Sequence, residues 1–344
     1  MGDSVSASSS KRLRRLAAAL EPVVGQVYFS PECHAAYTEL GFSPSPGVRS
    51  GVALPDGPAY FTSRGSLMGQ VHGTVIAAAF AVFNPAVVVP AVAYGWTLTD
   101  ATTIRAVRQQ GAVAQLRRIL GPAPDGAERA AELLGRAVDV LRPEGKPLFA
   151  GALAQPVPDE GPLGAVWRFG DCLREYRGDV HTISWVGAGF DAVEMGLLTE
   201  LYWGLPLRTY IRTRAWSDEQ LDAALERLVA RGLVDADGAF TPQGRMRREA
   251  IEADTDRRAE PIATALGDEI EDVCAVLEPW GAAIRTAGGY FTSGPHELAR
   301  LRGLTPQPVS GQVRSSHGRS RQLPRSVTRT VVWSAGDGAD RCWA

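Results

Sequence analysis

The stretch from Asp191 to Asp256 constrains the fold more than any other, because caps, turns and apolar spacing agree along it. Ser217 is a strong N-cap, and Gln220 three residues on completes a capping box. Leu221, Leu225, Leu228 and Val229 then fall on one helical face. Gly232 after Arg231 is the expected left-handed stop behind a cationic last turn. Leu233-Val234 and Ala239-Phe240 flank an Asp237-Gly238 turn, which predicts a hairpin. Thr241-Pro242 restarts a helix that should run to about Arg258. Upstream, Asp191 to Trp203 and Leu207 to Thr213 read as two helices split by Gly204-Leu205-Pro206, with a tight turn at Arg214-Ala215-Trp216.

Helix, helix, turn, long helix, hairpin, helix: this order resembles the MarR-type winged helix-turn-helix. The resemblance implies a ligand-responsive transcriptional regulator that binds double-stranded DNA as a homodimer. The charges oppose part of that reading. The recognition helix and wing carry six acids (Asp218, Glu219, Asp222, Glu226, Asp235, Asp237) against two arginines, Arg227 and Arg231. Phosphate contacts dominate DNA affinity, and this surface repels them. Arg208, Arg212 and Arg214 just upstream are the compensating cations, so the candidate DNA-binding set is Arg208, Arg212, Arg214, Arg227 and Arg231.

The chain of 344 residues exceeds one typical core and predicts two domains and a tail. The expected division is a disordered start over 1–10, an N-terminal helical domain over 11–155, a winged-helix domain over 163–290 and a basic, disordered tail over 295–344. Pro156 to Pro162 is the candidate linker. The fold class is mainly α: a helical domain, then a winged helix-turn-helix with one small β-hairpin. In the first half, helices are expected over Arg12–Leu20, from Ser30-Pro31-Glu32, over Thr99–Leu120 and over Gly126–Leu141, with Ser43–Pro58 as a loop. Thr74 to Tyr94 holds no charged residue, but it is Ala-rich and broken by Asn84-Pro85 and Pro90. It predicts two buried helices rather than a membrane span.

A net charge of −2 gives no global pull toward nucleic acid or membrane. Four scattered cysteines form no disulfide framework and, with no signal peptide, predict a reducing cytoplasm. There is no Gly-rich phosphate loop, nucleophile elbow or nicotinamide fingerprint, so no cofactor is expected. Cys33-His34 lacks the spaced partners of a zinc site, so no metal is expected either.

Chemistry concentrates at Leu173 to His181. As a helix, this stretch puts Arg174, Arg177 and His181 on one face, with Gly178 among them. A glycine inside a helix costs about 1 kcal/mol against alanine, so something should approach closely there: a neighbouring helix, or an anionic or planar ligand. The candidate ligand-binding residues are Arg64, Arg174, Arg177 and His181. Were the protein an enzyme, His181 beside Asp179 would be the candidate acid–base pair. The competing expectation is a buried ion-pair network that locks this helix to its neighbours.

Pro31-Glu32-Cys33-His34-Ala35-Ala36-Tyr37, Tyr60-Phe61 with Arg64, Phe83-Asn84-Pro85, Leu116-Arg117-Arg118-Ile119-Leu120-Gly121 and the Arg174–His181 stretch occur in this order ahead of the winged helix. As a set, from about Val27 to Leu277, they resemble the SalK-like helix-turn-helix family of actinobacteria. Beside DNA regulation, the alternatives are a small-molecule binder or enzyme of specialised metabolism that uses the winged helix as scaffold, and a purely structural interaction protein; the resemblance itself implies a fold and a lineage. It implies no particular reaction. This chain departs from that pattern with Tyr176 in place of His, Val180 in place of Gly, and Ser66-Leu67-Met68 in place of an Ala-Pro-Leu-like run.

Overall fold

The structure, a computed structural model, describes residues 7–157 and 159–299. Its helices are α1 (Ala7–Gly25), α2 (Pro31–Glu39), α3 (Gly57–Gly65), α4 (Gly73–Phe80), α5 (Pro85–Leu98), α6 (Ala101–Leu120) and α7 (Ala127–Asp139), followed by α8 (Pro147–Leu153) and α9 (Gly161–Gly187). Then come α10 (Ala192–Tyr202), α11 (Asp218–Ala230), α12 (Pro242–Leu266), α13 (Ile270–Thr286) and α14 (Pro295–Ala299). Strands β1 (Val48–Arg49) and β2 (Val52–Ala53) pair antiparallel. The protein is mainly α, as its patterning predicts.

Local chemistry explains most boundaries. Ser30, Asp56, Asn84 and Asp100 each cap the helix that follows with a side-chain oxygen. Asp191 and Ser217 both close full capping boxes, at α10 and α11. The uncharged run becomes α4 and α5, broken at Asn84-Pro85, and among the described residues no helix is long and apolar enough to cross a membrane.

Several expectations need correction. The first helix starts at Ala7, so residues 7–10 are ordered into α1, while 1–6 lie outside the described residues, as do the arginine-rich stretch 310–330 and the rest of the tail from 300. The loop read over Ser43–Pro58 contains the β1–β2 pair. The stretch Leu207–Thr213 is not an α-helix; a short 3-10 turn, Ile211–Arg214, stands there instead. The reason is Glu200, fully buried, whose carboxylate accepts from the backbone N–H of Arg208 (2.7 Å) and Ile211 (2.6 Å). Those donors are lost to a helix, and Arg208 sits at a left-handed φ of 64°. The wing turns at Asp237-Gly238 but keeps only a single antiparallel bridge, Val234 to Phe240. Asp235 consolidates it by accepting from Asp237 N and Ala239 N. Helix α12 runs to Leu266, past the expected end near Arg258.

Among the described residues there are five buried apolar clusters, and the three larger ones hold the molecule together. The first joins α1, α2, α6 and α7 to α9, the end of α12 and α13. The second is the winged-helix core, with Leu197, Leu198, Leu221, Leu228 and Ile251 all sealed from solvent. Each such side chain contributes roughly 1.5–3 kcal/mol on burial. The third packs α3, α4 and α5 around Phe61, Ile76, Phe80 and Phe83. Helix α9 begins inside the stretch read as a linker, where Pro162 is tolerated in the first turn. It supplies Leu163 to Val180 to the first cluster and Trp185 to the second, and α12 likewise spans both. The first cluster therefore draws on helices from both sides of that stretch.

Candidate functional site

Where the three clusters meet they leave a cavity of about 330 Å³. That lies within the range of roughly 300–1,000 Å³ typical of small-molecule sites. Its wall is mostly apolar: Leu20 from the first cluster, Phe80 and Phe83 from the third, Trp185, Met195 and Ile211 from the second.

The four residues expected to hold a ligand, Arg64, Arg174, Arg177 and His181, all line this space. Three of them come from one face of α9, as their spacing requires. Gly178 lies between them on the same wall, and a Cβ added there would meet nothing within 4 Å. No neighbouring helix therefore demands this glycine. What it does is leave the cavity open.

The arginines differ in how completely the protein occupies them. Arg64 faces Glu175 with two hydrogen bonds, Nε to Oε1 at 3.0 Å and Nη2 to Oε2 at 2.6 Å, and lies over the Phe80 ring. Arg174 grips Glu21 through Nε (2.9 Å) and Nη2 (3.2 Å), and its Nη1 reaches Tyr28 Oη and Glu175. Burial alone would raise the Glu175 pKa, but Arg64 and then Arg174 pull it down to about 2. This group is two arginines against two glutamates, and it is neutral.

Arg177 is held more loosely. Its Nη2 lies 3.5 Å from both Glu252 Oε2 and Asp256 Oδ1. Those carboxylates have nearer partners, since Arg248 pairs with Glu252 and Arg14 with Asp256 at 2.7 Å. Arg14 also reaches Glu249, so this second group sets three arginines against three carboxylates. A buried ion-pair network therefore exists, and Arg64, Arg174 and Arg177 within it also line the cavity.

His181 is a neutral member of that wall. Burial pushes its pKa down to about 4, despite Glu252 nearby. Its Nδ1 lies 3.1 Å from Thr255 Oγ1, and the Thr255 hydroxyl donates its own proton to Ile251 O at 2.8 Å. Thr255 can then only accept, so Nδ1 carries the imidazole proton and Nε2 presents a lone pair. A base this weak is a hydrogen-bond acceptor rather than a strong proton acceptor at neutral pH.

Asp179 is not brought to His181. Two residues apart on a helix, their side chains point to different faces, and Asp179 instead accepts from Phe149 N at 2.9 Å, at the start of α8. Burial raises its pKa to about 7. The expected acid–base pair does not form.

The five arginines expected at DNA are also engaged. Arg208 pairs with Asp222 and Arg212 with Asp218 (2.7 Å), both on α11. Arg227 reaches Asp191 and Glu194, and Arg231 reaches Glu194, tying the end of α11 to the start of α10. Arg214 lines the cavity. Its guanidinium lies 4.5 Å from the Phe83 ring and 4.7 Å from the Tyr210 ring, and Nη2 donates to Tyr210 Oη. The backbone holds it there: Asn84 N donates to Arg214 O at 2.9 Å, Asn84 Nδ2 to Ala215 O, and Trp216 Nε1 to Val82 O.

Some wall residues carried no site reading in the sequence. Glu21 did have a signal, as a lone acid in the apolar run of α1, since a buried carboxylate needs a partner. Tyr28, Tyr210 and Tyr290 had none. The three departures from the SalK-like pattern lie off the cavity wall: Tyr176 donates to Arg258 O, Val180 is in the first core, and Ser66 donates to Ser63 O.

Residues 13–291 match the model of a helix-turn-helix family. No curated protein and no solved structure matches the chain.

Proposed function

The chain belongs to this helix-turn-helix family, and from that premise we propose that it is a MarR-like, ligand-responsive regulator whose sensor is the interior cavity. One observation carries the reading: residues 208–214 face both ways. Tyr210, Ile211 and Arg214 line the cavity, while Arg208 and Arg212 pair with Asp222 and Asp218 on the recognition helix. A ligand that presses on the inner residues shifts the turn and alters how the outer two are held. Occupancy changes DNA affinity only as far as the ligand prefers one of those arrangements. In this reading two copies pair and present two recognition helices.

A second reading has its own support. Arg208 and Arg212 are already neutralised by the helix that would lie on phosphate, which favours a small-molecule-binding protein or enzyme that uses the winged helix as scaffold. Selecting duplexes from a random library with the full chain, then titrating the recovered DNA by anisotropy at two salt concentrations, separates the two. The regulator reading expects a recovered site whose affinity falls with salt and with the Arg208→Glu/Arg212→Glu variant. Recovery of no sequence, or binding indifferent to that variant, favours the scaffold.

A further inference from the structure

We propose that the arginine-rich segment from Arg302 to Arg329 is an arm for the DNA backbone, supplying phosphate contacts that the arginines of the helix-turn-helix unit do not make. This rests on the DNA-binding part of the proposed function and names the surface that meets phosphate.

The chain's net charge of −2 conceals a strong division. Of its 36 Lys and Arg, eight follow Ala299, against only two of its 38 Asp and Glu. Residues 1–299 therefore hold 28 cations and 36 acids, a balance of −8. From Arg300 to Gly336 there are seven arginines, Arg302, Arg314, Arg319, Arg321, Arg325 and Arg329 among them, and no acid. Charge asymmetry of this kind marks a segment that interacts with a polyanion.

The helix-turn-helix unit is short of cations for that task. Arg208 and Arg212 are paired with Asp222 and Asp218, while Arg227 and Arg231 are paired with Asp191 and Glu194. Glu219, Glu226, Asp235 and Asp237 lie exposed on α11 and the wing and add negative charge. Phosphate contacts supply most of the non-specific affinity for DNA, so the charge must come from elsewhere.

The fold delivers the segment to the same place. Helix α14, the last described element, lies against Ile211–Arg214, the turn that precedes α11. Its Pro295 and Glu297 are buried, so this end of the body is seated. Arg302 and Arg314, three and fifteen residues past Ala299, lie at most about 10 and 50 Å from it along an extended chain. A duplex on the helix-turn-helix unit is therefore within reach of the first arginines onward. No aromatic residue occurs between Ala299 and Trp333, so the segment lacks the aromatic anchors of a basic segment built for a lipid surface.

Anisotropy titrations of a mixed-sequence duplex with the full chain, over a range of salt concentrations, test this. Replacing five arginines together (Arg314→Gln, Arg319→Gln, Arg321→Gln, Arg325→Gln and Arg329→Gln) should weaken binding at low salt by roughly tenfold or more. It should also make the slope of log affinity against log salt shallower by about four. The same five changed to Lys should keep most of both, since charge is what the phosphates need. A wild-type slope shallower than about two, read with no variant, overturns the inference. So does unchanged binding in the Gln variant. Tighter binding in that variant also overturns it, because the arm would then be covering the acids of α11 rather than DNA. Binding of the full chain to phosphatidylserine vesicles but not to duplex overturns it as well. Duplex binding that needs the five arginines but is indifferent to Arg208→Glu/Arg212→Glu overturns the regulator reading and leaves this inference standing. Binding that needs Arg208 and Arg212 but not the five does the reverse.

Discussion

Arg64 and Glu175, 111 residues apart in sequence, meet as a two-pronged pair in which the carboxylate is fully buried and the guanidinium nearly so. Breaking such a pair strands a buried charge, so Arg64→Met should cost about 3–5 kcal/mol. Arg64→Met combined with Glu175→Leu should recover part of that loss. Urea titration of the three variants checks it; a double variant worse than the single one contradicts the stranded-charge account.

The Asp179 carboxyl has the opposite perturbation, raised by burial from 3.8 to about 7. Its stabilising contribution is complete below about pH 4, where both folded and unfolded forms are protonated. It is lost as pH rises toward 7, because the unfolded carboxyl ionises while the folded one keeps its proton. Asp179→Asn should therefore flatten the decline in stability between about pH 4 and 7. Parallel stability curves for the variant and the wild type would count against it.

His181 should stay neutral through the physiological range, with its proton on Nδ1. Its folded pKa of about 4 lies below the ordinary 6.5, and Thr255 can only accept from it. Long-range nitrogen–proton NMR spectra should show one protonated and one bare nitrogen at neutral pH, with titration only near pH 4. A titration centred near 6.5, or the Nε2–H tautomer, contradicts the assignment.

Gly196 of α10 is required by the turn that crosses it. A Cβ there would lie 1.7 Å from Ile211 Cδ1, a side chain itself buried in the winged-helix core. Gly196→Ala should cost about 1–3 kcal/mol by overpacking. Ile211→Val in the same chain should restore part of it, read as the midpoint of denaturant unfolding.

Asp218 and Asp222 of α11 pair with Arg212 and Arg208 of the preceding turn. Asp218→Asn/Asp222→Asn should raise non-specific DNA affinity and steepen its dependence on log salt by on the order of 1 per arginine released to phosphate. Anisotropy titrations with mixed-sequence duplex measure both quantities. An unchanged salt slope means that these arginines do not meet DNA.

How much of this could be read from the chain follows from the range of each interaction. The Ser217–Gln220 capping box, the Asn84-Pro85 break and the Asp237-Gly238 turn are settled within a few residues, and all stand where the sequence puts them. The α9 face bearing Arg174, Arg177 and His181 was legible for the same reason, since helical spacing alone defines it. The Leu207–Thr213 expectation failed because Glu200, seven residues before the stretch, takes backbone donors that a helix would have used. Nor could spacing reveal which arginines would be satisfied. Arg174 finds Glu21 across 153 residues and Arg14 finds Asp256 across 242. Arg214 finds no carboxylate among the described residues but two rings, delivered when Asn84 and Trp216 clasp the two turns together. Caps and periodicity are local free energies, so the sequence alone determined the helices and the faces they offer. Pairing a buried charge, or leaving one open to a cavity, depends on which distant surfaces pack together, and only the tertiary structure decided that.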